Sequence, residues 1–299
     1  MKRALLIITV FLITAGFAMY ILGTDAFFKR ETIGLQYDLK SDTSESIEDK
    51  QNKYSSYSAL TFAGMPADAI QVPRSTERTK DDEWKLVWAD DFDKRNLNLE
   101  YWTEVDRRHC YNNELQYYLP KNSYIKDGCL YLTAIKEKTG GKDYTSAMVD
   151  TGYKLSFRYG RIEARIKLPK GKGLFPAFWI LTYDGGYEID IMEMIGSEDV
   201  IYGTNHYESR GSRKTSGHIT NDTPGEFHTY AVEWERDSIR WYMDDKLYHT
   251  SQKGVPQDDM YIVLNLAVGG NWPGKPDETT TFTCSMAVDY VRIYDKRSA

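Results

Sequence analysis

The sequence predicts an all-β protein, built as an antiparallel two-sheet sandwich of the jelly-roll type. Many short apolar runs are separated by Gly, Pro and Asp turns, and no stretch keeps a helical period over three turns. The chain has 23 Tyr and 7 Trp among its 299 residues, and aromatic side chains favour strands. Hydrophobic residues make up 41% of the chain, enough for one large core.

The individual strands follow from local patterns. Residues 157–168 alternate between apolar and charged side chains, as expected of a strand with one buried face. Asp127-Gly128 predicts a turn, and Asp244-Asp245 predicts a hairpin turn. Further strands are predicted at residues 86–88, 130–135, 178–181, 201–207, 228–235, 239–243, 261–266 and 288–294.

The chain divides into three parts. Lys2 and Arg3 precede an apolar run over residues 4–22, which predicts a signal peptide or a retained signal anchor over residues 1–23. In both cases the remainder is exported, to be secreted, periplasmic or held at the cell surface. Residues 24–82 are polar and predict a flexible spacer, in which the more apolar 59–72 could pack against the domain. Residues 83–297 are predicted to form the folded domain.

Charge and cysteine content exclude several classes of protein. The net charge is -6 with both signs interspersed, which predicts no nucleic-acid partner and no membrane contact except through an N-terminal anchor. A neutral ligand fits this balance, and we expect a monomer. Cys110, Cys129 and Cys284 are too scattered for a Cys-x-x-Cys metal site. One disulfide with a free thiol, or three free thiols, are both open.

The most informative stretch is the acidic segment EIDIME, residues 188–193. In a strand Glu188 and Asp190 share one face, and a β-bulge that accommodates Met192 would return Glu193 to that face. The two glutamates would then be about 13 Å apart at Cα, and their carboxyls could approach to about 5 to 6 Å. Retaining glycosidases place two carboxyls about 5 to 5.5 Å apart. Taken alone, the hexapeptide fits better with an ordinary half-exposed strand that has a solvated acidic face, and the surrounding chain changes that balance.

Seven further segments lie before and after the acidic segment along the chain. They are WKLVWADDF (84–92), NNELQYY (112–118), YGRIEARIKLP (159–169), PAFW (176–179), FHTYAVEW (227–234), NLAVGGNWPG (265–274) and VDYVRIY (288–294). Together they resemble glycoside hydrolase family 16, and most closely its laminarinase-like endo-β-1,3-glucanases. The resemblance covers residues 84–295, over two thirds of the chain.

The resemblance implies a concanavalin A-like jelly roll whose concave sheet holds an extended β-glucan in an open cleft. The family pattern Glu-x-Asp-x-x-Glu falls on Glu188 as nucleophile, Asp190 as its helper and Glu193 as acid/base. The implied activity is retaining hydrolysis of internal β-1,3 or mixed β-1,3/1,4 glucosidic bonds. No catalytic cofactor is expected, because the two glutamates supply both the nucleophile and the proton.

The resemblance also implies residues that bind substrate and metal. Stacking on sugars is expected of aromatic residues and hydrogen bonding to hydroxyls of polar ones, although Trp179 could equally be a core residue and His206 a structural one. The expected substrate-binding residues are Asn113, Phe175, Trp179, Asn205, His206, Asn265 and Trp272. A structural Ca²⁺ on the convex side would be held by Asp91, the carbonyl of Gly128 and Asp289.

Three departures from the family pattern alter the expected cleft walls. Phe175 stands where Trp is usual, Met148 stands where Arg is frequent, and residues 183–187 replace a Trp-Pro-x-x-Gly turn. The polysaccharide is therefore open. Alternatives are a non-catalytic β-glucan-binding module, which the intact Glu188 and Glu193 disfavour, a transglycosylase, or a hydrolase of a β-linked galactan.

Overall fold

The structure is a computed structural model that describes residues 70–71, 83–208, 213–221, 223 and 225–296. The described residues all belong to one compact unit, Tyr37–Ala299. The predicted signal or anchor segment 1–23 and most of the predicted spacer 24–82 lie outside the described residues. Within the described part of the chain, no helix has the length and apolarity needed to cross a lipid bilayer.

The described residues are almost entirely strands, turns and irregular segments, with one short 3-10 helix at Pro120–Asn122. The strands are β1 (Ile70–Gln71), β2 (Trp84–Asp90), β3 (Thr103–Glu104), β4 (Gln116–Tyr118), β5 (Ser123–Lys126), β6 (Cys129–Ala134), β7 (Tyr144–Ser146), β8 (Met148–Asp150), β9 (Leu155–Ser156), β10 (Gly160–Lys167), β11 (Leu174–Thr182), β12 (Glu188–Met194), β13 (Val200–Tyr207), β14 (Arg213–Thr220), β15 (Phe227–Trp234), β16 (Ile239–Met243), β17 (Lys246–Ser251), β18 (Met260–Val268) and β19 (Cys284–Lys296).

Two antiparallel sheets make up the sandwich. The front sheet has the strand order β14-β13-β12-β11-β18-β8-β3, and the back sheet has the order β17-β16-β15-β10-β19-β6-β5, with β2 also paired to β19. Two small parallel pairs, β1 with β9 and β4 with β7, complete the described pairing. Because β1 pairs with Leu155–Ser156, this part of the predicted spacer joins the domain.

The predicted all-β sandwich is confirmed, and each predicted strand lies within or largely overlaps an observed one. Asp244 and Asp245 both have positive φ, 48° and 61°, and form the predicted hairpin turn between β16 and β17. Strands β14 and β17 were not predicted, because their exposed polar residues leave no apolar alternation to detect. The three cysteines are free thiols.

The core lies between the two sheets. In the back sheet, Ile162, Ala164 and Ile166 of β10 are fully buried, as their alternation predicts. In the front sheet, Ile189 and Ile191 of β12 are also fully buried in this core. Burying an aliphatic side chain of this size stabilises a fold by about 1.5 to 3 kcal/mol. The core therefore fixes which face of β12 points away from it.

A second, smaller apolar cluster lies on the other side of the front sheet. Tyr261 and Val263 of β18 pack there with Met148 of β8, and Val105 and Tyr118 cover them. Residues 105–118, which we call the 105–118 segment, thus cover the β18 and β8 end of that face. At the opposite end, β14 leaves its side chains exposed.

Candidate active site

A β-bulge in the middle of β12 decides where its carboxylates point. Against β11, Met192 pairs with Phe178 and Asp190 pairs with Trp179, so Ile191 has no partner. Against β13, the register shifts between Asp190 and Glu193. The predicted bulge is confirmed, but Ile191 and Met192 form it together: both side chains are fully buried in the core. Two successive inward residues restore Glu193 to the outer face.

The outer face of the front sheet carries all three carboxylates, and we call it the acidic face. Directly paired residues on neighbouring strands share a face. Glu188 pairs with His206, Asp190 with Thr204, and Glu193 with Tyr202 of β13. Nε2 of His206 lies 3.3 Å from Oδ2 of Asp190 and 3.8 Å from Oε1 of Glu188. His206 therefore lies beside two of the carboxylates on this face.

Two side chains of the back sheet contact backbone carbonyls of the bulge from the core side. The indole Nε1 of Trp241 donates a hydrogen bond to the carbonyl oxygen of Asp190 at 2.8 Å, and the Tyr248 hydroxyl lies 3.5 Å from the carbonyl oxygen of Ile191. Both side chains reach the bulge over Gly203 of β13. A Cβ atom at Gly203 would stand 2.4 Å from Cδ1 of Trp241 and 2.6 Å from the Tyr248 hydroxyl oxygen. Only glycine leaves room for these two contacts.

The electrostatics of the site favour protonated carboxyls. Burial is the first cause that raises the pKa of Glu193 well above its ordinary value, and the charges of Asp190 and Glu188 add to it. Burial, followed by the charge of Asp190, raises the pKa of Glu188 to about 8, while His206 opposes the rise. Burial also raises the pKa of Asp190, and the nearby Lys214 opposes it. A raised pKa at Glu193 suits a group that must hold a proton near neutral pH.

The tryptophan of β11 is held by a chain of hydrogen bonds. Nε1 of Trp179 donates to Oδ1 of Asn265 at 2.8 Å, and Nδ2 of Asn265 donates to the Tyr118 hydroxyl at 3.3 Å. Register places Trp179 opposite Asp190 on the acidic face. Trp179 and Asn265 therefore both lie on the acidic face. Asn265 is buried and anchors Trp179.

An aromatic group stands at the Glu193 end of the acidic face. The exposed ring of Trp272 packs edge-on against Tyr202, with centroids 5.0 Å apart, and against Phe175 at 5.5 Å. The loop that carries Trp272 is tied down by Asn113, whose Nδ2 donates to Oδ1 of Asn271 at 2.7 Å. Asn113 itself has φ 59°, a left-handed conformation that Asn tolerates.

The comparison with known families agrees with this geometry. The Glycosyl hydrolases family 16 model matches residues 101–292. The chain belongs to glycoside hydrolase family 16. A second model, described as beta-glucan synthesis-associated protein SKN1/KRE6/Sbg1, matches residues 2–188 and ends at the first carboxylate of β12.

Individual relatives of this family 16 chain support the same assignment. It is 37% identical over 252 residues to a beta-glucanase of Rhodothermus marinus, covering 74% of this chain and 88% of that protein. It is 31% identical over 266 residues to an endo-1,3-1,4-beta-glycanase of Rhizobium meliloti, covering 79% and 57%. The laminarinase catalytic domain of Thermotoga maritima matches with a TM-score of 0.67 and 36% identity, over 72% of this chain and all of that domain. The predicted family, jelly-roll fold and glycoside hydrolase class are confirmed.

One predicted substrate residue of the family 16 site lies elsewhere. Asn205 pairs with Ile189, so it points away from the acidic face. Its side chain is fully buried, donates to the carbonyl oxygens of Lys253 and Gly254, and accepts a hydrogen bond from Thr215. The prediction for Asn205 is wrong, because strand parity assigns it to the side opposite its neighbour His206.

Sequence reasoning missed several residues on the acidic face. Lys214 pairs with His206, and His218 pairs with Tyr202, so both lie on this face of the edge strand β14. Thr204 is also on it, and its hydroxyl contacts Ser216 at 3.0 Å. The only available signal was the alternation along 213–220, which carries no register because both faces are polar.

The predicted calcium positions approach one another along β19. This strand pairs with β6 as far as Val288 and with β2 from Val291 onward, so Asp289 lies beside the junction of both neighbours. Asp91 directly follows β2, and Gly128 directly precedes β6 in a turn with φ 72°.

Both carboxylates at this junction are already paired. Oδ1 of Asp91 accepts from Nη2 of Arg292 at 2.7 Å, and Oδ2 of Asp289 accepts from Nη1 of Arg165 at 2.7 Å. These residues fit a cation only when the two guanidinium groups release the carboxylates, since arginine and Ca²⁺ compete for the same oxygens.

Proposed function

We propose that this protein is a retaining endo-glycosidase that hydrolyses internal β-1,3 or mixed β-1,3/1,4 glucosidic bonds of a polysaccharide. The observation that carries the proposal is the bulge at Ile191 and Met192, which puts Glu188, Asp190 and Glu193 on one face. The Rhizobium relative, an endo-1,3-1,4-beta-glycanase, supports the linkage, and the Rhodothermus relative, a beta-glucanase, supports a glucan as the substrate.

The proposed reaction is a double displacement. Ionised Glu188 attacks the anomeric carbon while protonated Glu193 gives its proton to the departing sugar oxygen. Glu193 then takes a proton from water as the water oxygen attacks the anomeric carbon. The bond from that carbon to Glu188 breaks, which frees the Glu188 carboxylate and gives a product with retained configuration. The 5 to 6 Å separation expected between the two carboxyls stays a prediction.

The neighbouring groups help to keep the two glutamates different. Asp190 lies between them, and its negative charge raises the pKa of Glu193, which favours the acid. Two basic residues oppose the rise in pKa at the other carboxylates. His206 lowers the pKa of Glu188, and Lys214 lowers that of Asp190. We assign His206 the role of holding Asp190 and Glu188 in place. We assign Trp272, with Phe175 and Tyr202, to stacking against a sugar ring.

The test is Glu188→Gln measured on laminarin and mixed-linkage β-glucan. We expect reducing-end release to fall by at least about 10⁴-fold with binding largely retained, because amide nitrogen cannot replace the attacking carboxylate. Proton NMR of the first product should give the β-anomer. A loss below about tenfold, or the inverted anomer, would contradict the role of Glu188. A wild-type chain that binds glucan without releasing reducing ends would instead be a binding module, and a panel of β-galactans tests the remaining substrate class.

A second candidate outcome is glycosyl transfer. The match of residues 2–188 to proteins associated with β-glucan synthesis favours it. A glycosyl-enzyme can pass its sugar to another sugar hydroxyl in place of water. Mass spectrometry of products formed with excess oligosaccharide separates the two, since only transfer gives chains longer than the substrate.

The catalytic step is proposed to need no cofactor, and Ca²⁺ at Asp91, Gly128 and Asp289 is proposed as a stabiliser only. If the ion binds, removal by EDTA should lower Tm and excess Ca²⁺ should restore it, while Asp289→Asn abolishes the response. A Tm that does not change with EDTA or Ca²⁺ would leave Arg165 and Arg292 as the native partners of the two carboxylates.

Export and a monomeric state complete the proposal. The charged start and apolar run over residues 1–23 support export. Cell fractionation and the mass of the mature N-terminus distinguish a cleaved signal peptide from a retained anchor. Light scattering of the purified domain measures the oligomeric state.

A further inference from the structure

One imidazole nitrogen and two carboxylate oxygens converge on the acidic face between β12 and β13. Nε2 of His206 lies 3.3 Å from Oδ2 of Asp190 and 3.8 Å from Oε1 of Glu188. Each of the three residues offers a ligand atom within 4.8 Å of the other two. Across the residues that the structure describes, no other group of three His, Cys, Asp or Glu side chains meets this spacing. Such nitrogen and oxygen atoms are ligands that divalent transition metals accept.

Strand register builds this cluster. Glu188 pairs with His206 across β12 and β13, and Asp190 lies two residues further along β12 on the same face. The imidazole is therefore directly opposite one carboxylate and diagonal to the other. The bulge comes only after Asp190, so these three residues belong to a regular antiparallel stretch. Ligands carried on paired strands are held in place more precisely than ligands on loops.

The buried carboxylate of Asp190 points independently to a ligand. Asp190 is 4% exposed, and its Oδ2 is buried without a hydrogen-bond partner. The contact of this oxygen with His206 at 3.3 Å lacks hydrogen-bond geometry. Buried charged groups in proteins are ordinarily paired or coordinate a metal, so an unpartnered oxygen at this depth needs an explanation. A cation beside His206 would satisfy it.

The distances suit zinc. Zn²⁺ binds histidine nitrogen and carboxylate oxygen at about 2.0 to 2.2 Å in tetrahedral geometry, which sets neighbouring ligand atoms about 3.3 to 3.6 Å apart. The 3.3 Å between His206 and Asp190 already has this value, and the 3.8 Å between His206 and Glu188 exceeds it by about 0.2 to 0.5 Å. The Glu188 side chain is 34% exposed and has room to close that gap. Ca²⁺ and Mg²⁺ fit poorly, because they take six or more ligands that are nearly all oxygen.

An ion can reach this cluster from the side of β14. The side chains of Glu188 and His206 are partly exposed, and the 105–118 segment covers the opposite end of the sheet. One positive charge opposes an ion: Lys214 pairs with His206, and its charge acts on Asp190. Lys214 is exposed on the edge strand, so its ammonium group can turn into solvent. Three protein ligands with an open fourth position for water make a complete zinc coordination.

We propose that Glu188, Asp190 and His206 form a binding site for a divalent transition-metal ion, for which Zn²⁺ has the best fit, and that the bound ion blocks the reaction reversibly. The metal site stands on the geometry alone, whereas the inhibition rests on the proposed function. The ion is an inhibitor and not a cofactor. A Glu188 carboxylate that holds zinc cannot attack the anomeric carbon, because the same oxygen lone pairs are engaged. The ion and the sugar therefore compete for one place.

Calorimetry tests the site without any measurement of activity. Zn²⁺ is titrated into the purified chain with excess Ca²⁺ present, which keeps the proposed convex site separate. We expect one ion per chain and a loss of at least about 100-fold in affinity in His206→Gln, because one of three protein ligands is removed. His218→Gln changes a histidine of the same face that lies outside the cluster, and should leave the affinity unchanged. Lys214→Met should tighten binding about 3- to 10-fold, because an opposing charge is removed.

Kinetics on laminarin tests the inhibition. Zn²⁺ should raise the apparent KM and leave kcat unchanged, EDTA equimolar with the zinc should reverse the effect, and Mg²⁺ at the same concentration should have none. The inhibition constant should rise in His206→Gln by the same factor as the dissociation constant. Zn²⁺ should also raise the Tm of the wild type and not that of His206→Gln, which shows in the same scan that the variant is folded. Glu188→Gln removes a different ligand and should likewise lose zinc binding in calorimetry.

The outcomes separate this inference from the proposed function. No zinc binding by the wild type, or binding that both His206→Gln and Glu188→Gln retain, would overturn the site. Binding lost instead in Cys110→Ser or Cys284→Ser would assign the ion to a thiol and overturn it too. Zinc binding at the site in a chain that cleaves no glucan would support the site and refute the proposed function. Hydrolysis that bound zinc leaves unchanged, or inhibits without raising KM, would overturn the competition for Glu188.

Discussion

Replacing Trp241 with Phe tests what the hydrogen bond between the back sheet and β12 contributes. The indole N–H donates to the carbonyl oxygen of Asp190 at 2.8 Å, and Trp241 is fully buried. Phe keeps most of the ring and removes the donor. Leaving a carbonyl buried without its partner costs about 1 to 3 kcal/mol, and the lost ring volume adds about 1 kcal/mol. We expect the free energy of unfolding to fall by about 2 to 4 kcal/mol in total.

The same change should slow the reaction. Asp190 begins the bulge, so a carbonyl released from Trp241 allows Ile191 and Met192 to shift, and Glu193 shifts with them. A displacement of about 1 Å at a reacting group can cost about 100-fold in rate. We expect kcat on the preferred glucan to fall by about 10- to 100-fold with KM nearly unchanged, because the stacking residues stay in place.

The chain offers a matched control in Trp234→Phe. Trp234 is also fully buried, on the neighbouring strand β15, and its Nε1 donates to the carbonyl oxygen of Pro256 at 3.1 Å. It should lose similar stability in urea denaturation and keep wild-type kcat at a temperature where both variants are folded. Equal kcat in Trp241→Phe and Trp234→Phe would refute the idea that the back sheet positions the carboxylates.

Three further predictions test the site more simply. Because the pKa of Glu188 is raised from 4.5 to about 8 in the folded protein, the contribution of Glu188 to stability should be greatest below pH 4.5 and be lost as pH rises through 8. Glu188→Gln removes this loss, so the Tm of the variant relative to wild type should be higher at pH 8.5 than at pH 4. In steady-state kinetics, His206→Asn should lower kcat/KM by about 10- to 100-fold, because the contact with Asp190 is lost. Trp272→Ala should raise KM about tenfold and Trp272→Phe less, since a smaller ring still stacks; equal effects of the two would contradict stacking.

Much of the fold follows from the sequence because the signal is local. β10 alternates between apolar side chains in the sandwich core and charged side chains on the opposite face, and its predicted limits, 157–168, enclose the observed strand. The hairpin turn at Asp244 and Asp245 follows from residues that tolerate positive φ. Strand β14 lacks such a signal: its two faces are both polar, and only pairing with β13 defines it.

The candidate site could be predicted only in part, because some of its geometry depends on pairing with strands that are distant in the sequence. The spacing of the carboxylates requires a bulge if all three share a face, and that much is sequence information. Which residues form the bulge depends on register with β11 and β13, and on Gly203 leaving space for Trp241 and Tyr248. No pattern within residues 188–193 contains those partners.

The positions of Asn205 and Arg107 do not follow from the sequence pattern around them. Asn205 neighbours His206 in sequence, yet strand parity sends the two side chains to opposite faces, so a family position carried over without parity fails. Arg107 lies in an irregular segment that no periodicity describes, and it reaches the acidic face because its backbone bridges to Tyr118 while residue 105 bonds to Met148.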